Sequence, residues 1–224
     1  MNASQLRRSM WAGIVFVALF IAGVIVTFGN SPNIKSSDTA ATAAQKWLTH
    51  LSSSSHRTGL IIGAYLLIIA AIAFLWFSLG LRAWLTGDSP VGRFISGLGV
   101  LGAGAIAFGG MFGGAWIAGA IAFGNEPLPL SGEGVRLISD LFFPFLFVIF
   151  GLISAVLIVT AAVTVLREGR APGWIAHTGW IGALGALVGV TFFPFVLALL
   201  WYLAVAIAGL AGASSAPPAR SEAP

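Results

Sequence analysis

The sequence predicts an all-α fold: a polytopic transmembrane helix bundle of six spans, with a short external amphipathic helix between the first two. Composition carries the first part of that statement. Of 224 residues, 58% are hydrophobic and 8% charged, whereas a soluble domain holds about 25% charged residues; mean hydropathy is +0.98. Pattern carries the rest. Apolar runs of spanning length alternate with short polar stretches rich in Gly, Pro, Asn and Ser, and arginines stand at the ends of the runs.

The first span covers 11–28. Arg7 and Arg8 precede it, as basic residues precede the apolar part of a signal peptide. The run is nevertheless long enough to cross a membrane, and its exit, Thr27-Phe28-Gly29-Asn30, lacks a small-residue cleavage pattern. Asn30, Ser31, Pro32 and Asn33 end the helix. Ser37 is then placed to N-cap a short helix from Asp38 to about Leu51, with Asp38 favouring its N-terminal dipole. Ala44, Trp47, Leu48 and Leu51 would share one face, and the serines at 52–55 read as a flexible joint.

The second span, 60–84, follows His56 and Arg57, carries Arg82 at its close, and leads into the turn Gly87-Asp88-Ser89-Pro90. The third runs over 94–123. Counted from Arg93, it would be about 46 Å long at about 1.5 Å per residue, against an apolar membrane core of about 30 Å. It must tilt, kink at a glycine, or project. An external loop follows over 124–134, and the fourth span, 135–166, exits at Arg167-Glu168-Gly169-Arg170. Residues 174–212 are apolar almost throughout and too many for one span. Pro194 disfavours helix at the residue before it, which divides them into a fifth span, 174–190, and a sixth, 195–211. One long helix kinked at Pro194, giving five spans and an external C-terminus, is the alternative. Residues 1–211 thus form one domain, and 212–224, rich in Ala, Ser and Pro, a disordered cytoplasmic tail.

With six spans and a cytoplasmic N-terminus, Arg7, Arg8, Arg82, Arg93, Arg167, Arg170 and Arg220 lie inside, and Lys35, Lys46, Arg57 and Arg136 outside. This matches the positive-inside bias. The two inner loops also resemble each other: Leu81-Arg82 and Leu166-Arg167 each lead through a polar turn and a proline into a glycine-rich span. A duplicated hairpin or two unrelated short loops would both produce this.

Several chemistries are set aside. The chain has no cysteine, which removes disulfides, thiolate catalysis and Cys-bound metals. Its charge of +4 comes from scattered residues at span ends rather than a basic stripe, so nucleic acid is not an expected partner. No zincin, nucleophile-elbow, P-loop or dinucleotide motif occurs, and no catalytic residue, cofactor or metal is expected. His177 has no histidine at its depth to share a haem. His50 and His56 lie in the external segment and read as ordinary exposed histidines, with a shared surface metal as the other reading.

Two features remain as candidates. Gly109, Gly110, Gly113 and Gly114 make two overlapping G-x-x-x-G spacings in the third span, and Gly182, Gly185 and Gly189 repeat the theme in the fifth. Glycines four apart let another backbone approach closely, either within the bundle or from a second copy or partner subunit. Asp140 is the one acid within an apolar segment, beside Ser139 and four residues after Arg136. An intramembrane carboxylate suggests ion, proton or amine binding; pairing with Arg136 is the structural reading.

Trp11-Ala12-Gly13, the stretch from Arg57-Thr58-Gly59 to Leu79-Gly80-Leu81-Arg82, and Gly169-Arg170-Ala171-Pro172-Gly173-Trp174-Ile175-Ala176 together resemble a family of small bacterial membrane proteins common in actinobacteria, akin to DUF4386. The resemblance implies about six transmembrane helices in a bacterial inner membrane and supplies no activity or catalytic residue. The expected function is that of a non-catalytic accessory or scaffold protein that binds membrane lipid, a membrane protein partner or a second copy of itself. A transporter or permease using Asp140 is the alternative.

Overall fold

The computed structural model describes residues 2–123, 131–169, 171–189 and 193–214, and the regular elements among them are all helical. Helix α1, Ala3–Gly29, begins well before the predicted apolar run. Asn2 accepts from the Gln5 amide and the Gln5 side chain accepts from the Asn2 amide, a reciprocal cap that lets the polar N-terminus join the helix.

Helix α2, Ala40–Ser52, forms between the first two long helices, but Thr39 rather than Ser37 caps it. Asp38 stays outside the helix, accepting from the Lys35 amide at 2.7 Å and pairing with Lys46 Nζ at 2.6 Å. The Lys46 ammonium, aided by that amide, holds the Asp38 carboxyl below its ordinary pKa. The buried face is Ala43, Ala44, Trp47 and Leu51. Leu48 is 40% exposed, because it lies roughly 85° around the helix from the middle of that face at about 3.6 residues per turn.

The expected serine joint shrinks to Ser53, whose extended backbone separates α2 from α3, Ser54–Leu85. Arg57 removes the need for a longer joint by donating to the Leu51 and Ser52 carbonyls, at 2.7 and 2.9 Å, at the end of α2. Ser89 then caps α4, Pro90–Phe112, through the Gly92 amide. The overlong third span breaks at Gly113 and Gly114, and Gly114 takes φ +86°, a left-handed conformation that costs glycine little. Helix α5, Ala115–Phe123, follows the break.

The fourth span is likewise interrupted. Helix α6, Gly132–Asp140, meets a turn at Leu141. A π-helical segment, Pro144–Ile149, then leads into α7, Phe150–Glu168. Gly169 at φ +63° ends α7. Helix α8, Trp174–Leu187, and α9, Phe195–Ser214, complete the chain. Among the described residues, five helical stretches are long and apolar enough to cross a membrane: Ala3–Gly29, Ser54–Leu85, Pro90–Phe112, Gly132–Glu168 and Phe195–Gly212. With 14 residues, α8 is about 21 Å long and falls short of that length.

The long helices alternate in direction and close a ring. α1 packs on α3, α3 on α4, α4 on α7, α7 on α8, α8 on α9, and α9 returns to α1. Close approaches at glycines give the sense of each pair: Gly13 meets Phe77 and Ala206, Gly23 meets Leu67, Gly102 meets Phe74 and Phe150, and Gly209 meets Met10. Gly179 and Gly182 lie against Trp201 and Gly185 against Leu197, so α8 and α9 fold back on each other. This corrects the alternative of one long helix kinked at Pro194. Trp201 Nε1 donates across that hairpin to the Ile175 carbonyl at 3.0 Å.

The ring encloses an aromatic core. Phe16, Phe20, Phe74, Phe77, Phe147, Phe150, Phe195 and Tyr202 are all fully buried. Centroids lie 4.9 Å apart for Phe16 and Phe74, 5.2 Å for Phe74 and Phe150, and 5.6 Å for Phe150 and Phe195. Tilted and edge-on ring pairs add about 0.5–1.5 kcal/mol each beyond their buried area, and here they join four helices. The outer surface carries large apolar side chains, among them Ile25, Ile72, Val100, Leu152 and Leu184. That much exposed apolar surface requires lipid or another protein.

Candidate functional site

At the end of the bundle where α1 stops and α3 begins, α2, α5 and α6 form a cap. Trp47, Leu51, Leu60, Ile117, Ala118 and Val135 make its small separate core. Helix α2 rests on α6 closely enough that a Cβ at Gly132 would lie 2.9 Å from the Ala44 Cβ. Amphipathic patterning of α2 and α6 against each other explains why two short, polar-faced helices are stable here.

Beneath the cap lies a cavity of about 610 Å³, bounded by the end of α1, the 31–34 segment, Trp47 of α2, Gly113 at the α4 break, and the α6 to π-segment junction. Both interrupted spans reach it. Its lining mixes the aromatic rings of Phe28, Phe142 and Phe143 with Asn33, Ser31, Ser139 and Asp140. Thr27 Oγ1, Trp47 Nε1 and Ser139 Oγ belong to cavity-lining residues that are 2%, 5% and 6% exposed, and none of the three atoms has a hydrogen-bond partner among the described residues. Thr27 Oγ1 lies against Gly63 of α3, while its methyl faces Gly113. Buried polar atoms left without partners cost on the order of 1–3 kcal/mol each, so those of Trp47 and Ser139, both on the cavity lining, mark a place where something polar is accommodated.

Asp140 ends α6 and stands at the rim of this cavity, its side chain 57% exposed. Arg136, one turn earlier, donates from Nε to Oδ2 at 3.4 Å, a long contact. Among the described residues the other carboxylate oxygen has no hydrogen bond. Ser139 points from the buried face of α6. The three candidate residues therefore share one short helix: Asp140 and Arg136 pair with each other, and Ser139 lies behind them.

The four candidate glycines separate onto two faces. A Cβ on Gly109 would lie 2.7 Å from Leu146, and one on Gly113 2.7 Å from Phe142, both toward the fourth span. A Cβ on Gly110 would lie 2.8 Å from Leu67, and one on Gly114 3.1 Å from Leu60 and Trp47, toward α3 and α2. Each G-x-x-x-G spacing thus seats a different neighbour within the bundle. Among the described residues, nothing outside their own stretch of helix lies within 4 Å of the corresponding position on Gly97 and Gly104.

His50 and His56 are half-buried rather than exposed, and their rings stack with centroids 3.7 Å apart. They border a second hollow of about 750 Å³ with Lys46 on the far side of the 32–33 segment. No third histidine or acidic side chain joins them as a metal-binding group among the described residues.

Thr27, Trp47 and Asn33 escaped sequence reasoning as site residues. Trp47 was legible as part of an apolar face, but nothing in the pattern said that it would line one cavity with Ser139 and Asp140, some ninety positions away. The external loop 124–134 lies largely outside the described residues, as does the tail beyond 214. No family model, no curated protein and no solved structure matches the chain.

Proposed function

We propose that this chain is a non-catalytic, six-pass protein of a bacterial inner membrane that holds a membrane lipid, or the membrane-facing part of a partner, in the cavity beneath its cap. The carrying observation is the contrast between the middle of the bundle and one of its ends: a centre filled by eight buried aromatic side chains, and a cavity at one end lined by Trp47 and Ser139, whose buried polar atoms have no partner among the described residues. A filled centre supports binding over passage. α8 counts as the sixth crossing because it runs antiparallel to both α7 and α9, its shortness being met by local thinning or by polar ends near the interface. The N-terminus is cytoplasmic in this reading because Arg7, Arg8, Arg82, Arg93 and Arg167 gather at the opposite end from the cap. Kinship with the DUF4386-like proteins is part of the same proposal.

Native mass spectrometry of the protein taken from membranes in nanodiscs tests this. A retained lipid, a stoichiometric partner or a symmetric oligomer supports it; a bare monomer overturns it. The transporter reading has one observation in its favour, the two interrupted helices that meet at the cavity, since broken helices commonly flank transported substrates. Substrate or proton flux in proteoliposomes, abolished by Asp140→Asn in folded protein, would establish that reading instead.

A further inference from the structure

The geometry points to an ethanolamine-type head, a primary ammonium a few bonds from a hydrogen-bond acceptor, as the ligand chemistry of the cavity beneath the cap. This rests on the binding function proposed above and specifies what is bound. Three requirements of the lining converge on it.

The first is charge. Asp140 presents a carboxylate whose one salt partner among the described residues, Arg136, reaches a single oxygen at 3.4 Å, and the other oxygen can accept a short charge-assisted bond from an N–H donor. An anionic head without a cation would meet this carboxylate unfavourably.

The second is the acceptor. Trp47 Nε1 is a donor only, is buried, and has no partner among the described residues. The benzo edge of the ring packs on Gly114, with Cζ3 and Cη2 nearest, so the N–H is on the other side of the ring. A bare alkylamine would leave this donor unmet, whereas a phosphate or ester oxygen would satisfy it. Ser139 Oγ, able to donate or accept and also without a partner among the described residues, belongs to the same lining.

The third is apolar surface. Phe28 and Phe142 pack edge to face, centroids 5.5 Å apart, on the cavity wall. Engaged with each other, the two rings do not form the open aromatic cage that recognises a quaternary ammonium. They suit the glycerol and first acyl carbons of a lipid. Selection among ammonium heads therefore falls to N–H donation toward Asp140.

The test is lipid retention by the full chain. Purified protein is exchanged into nanodiscs of equal parts phosphatidylethanolamine, phosphatidylcholine and phosphatidylglycerol, released into mild detergent, and its bound lipids are counted by native mass spectrometry. The wild type is expected to retain phosphatidylethanolamine about tenfold over phosphatidylcholine, the worth of one charge-assisted hydrogen bond. Asp140→Asn is expected to erase that preference, and Trp47→Phe, which keeps an aromatic ring and deletes the donor, to lower total retention. Soluble O-phosphorylethanolamine added to detergent-held protein separates the two sources: displacement of the lipid assigns recognition to the head alone, and failure to displace assigns it to the membrane lipid with its chains. Both are forms of the proposal. Equal retention of all three lipids, or a preference that survives Asp140→Asn, overturns the ethanolamine assignment while the binding function stands. Retention of no lipid and no partner overturns both.

Discussion

The imidazoles of His50 and His56 lie face to face, 3.7 Å between centroids and 22° from parallel, while His50 Nε2 donates to the Asn30 carbonyl at 2.6 Å. One ring of α2 thereby touches both the end of α1 and the start of α3. Burial lowers the His50 pKa below its ordinary 6.5; the Asn30 carbonyl opposes this, and like charge on His56 adds to it. Lys46, already bound to Asp38, lines the same hollow, and Arg57 follows His56 in the chain, so the neighbours of the ring among the described residues offer no free anion to receive a proton's charge. A base with a depressed folded pKa favours the neutral form when folded. Its stabilisation is complete above 6.5 and is lost as pH falls from 6.5 through the lowered folded value. Amide exchange in α2, corrected for intrinsic rate, is expected to accelerate at about pH 5 relative to about pH 7.5, over the window of a depressed histidine. His50→Gln should flatten the dependence. Protection of α2 that is the same at both pH values would rule the device out.

What could be read in advance, and what could not, divides along the range of the interactions. Long apolar runs announce helices because the membrane demands them, so α1, α3, α4, α7 and α9 were legible from composition. The excess length of the third span required some accommodation, and Gly113 and Gly114 supply it. Boundaries set by single polar side chains were missed: Asn2 and Gln5 lengthen α1, Thr39 displaces Ser37, and Arg57 abolishes the serine joint. The closure of the ring through α1 and α9, and the lining of one cavity by Thr27, Trp47 and Ser139, depend on residues far apart in sequence, for which no periodicity gives a signal. Asp140 and Arg136 were legible as a pair because four residues on a helix is a local distance.

Leucine at Gly109 or Gly110 is expected to destabilise the bundle rather than dissociate an oligomer. At both positions a Cβ alone would lie within 3 Å of Leu146 or Leu67, so a longer side chain overpacks an interior contact, at a cost of about 1–3 kcal/mol. Thermal unfolding followed by fluorescence should shift downward for each variant. Gly104→Ala, where the space is open, should change stability by no more than about 0.5 kcal/mol. Normal stability with a changed oligomeric state in Gly109→Leu would instead place this face between chains.

Trp201→Phe removes the one donor that links α9 to the Ile175 carbonyl of α8 at 3.0 Å while retaining an aromatic ring against Gly179 and Gly182. Hydrogen bonds between membrane helices average about 0.6 kcal/mol, so the loss should be small, and local to the hairpin. Faster exchange confined to α8 and α9 is the expected signature. Loosening that spreads evenly to α3 and α4 would mean that Trp201 acts through packing of the whole core.

The absence of cysteine makes single-cysteine labelling clean, and α8 is where it decides most. If α8 crosses, the residues flanking it must face opposite sides. Pro172, just before α8, and Phe193, which is 81% exposed before α9, are the reporters. Asp88, between α3 and α4, and Thr49, on the exposed side of α2, fix the two reference sides. Replacing Asp88 forfeits a pair with Arg82 in which its own side chain is 97% exposed, and such surface pairs contribute about 0–1 kcal/mol. With an impermeant thiol reagent on intact cells, Thr49→Cys and Phe193→Cys are expected to react, and Asp88→Cys and Pro172→Cys only after the membrane is opened. Phe193→Cys and Pro172→Cys reacting from the same side would make α8 a re-entrant arm and reduce the crossings to five. Reversal of the entire pattern would keep six crossings and place the arginine-rich end outside, against the bias that arginines impose on short loops.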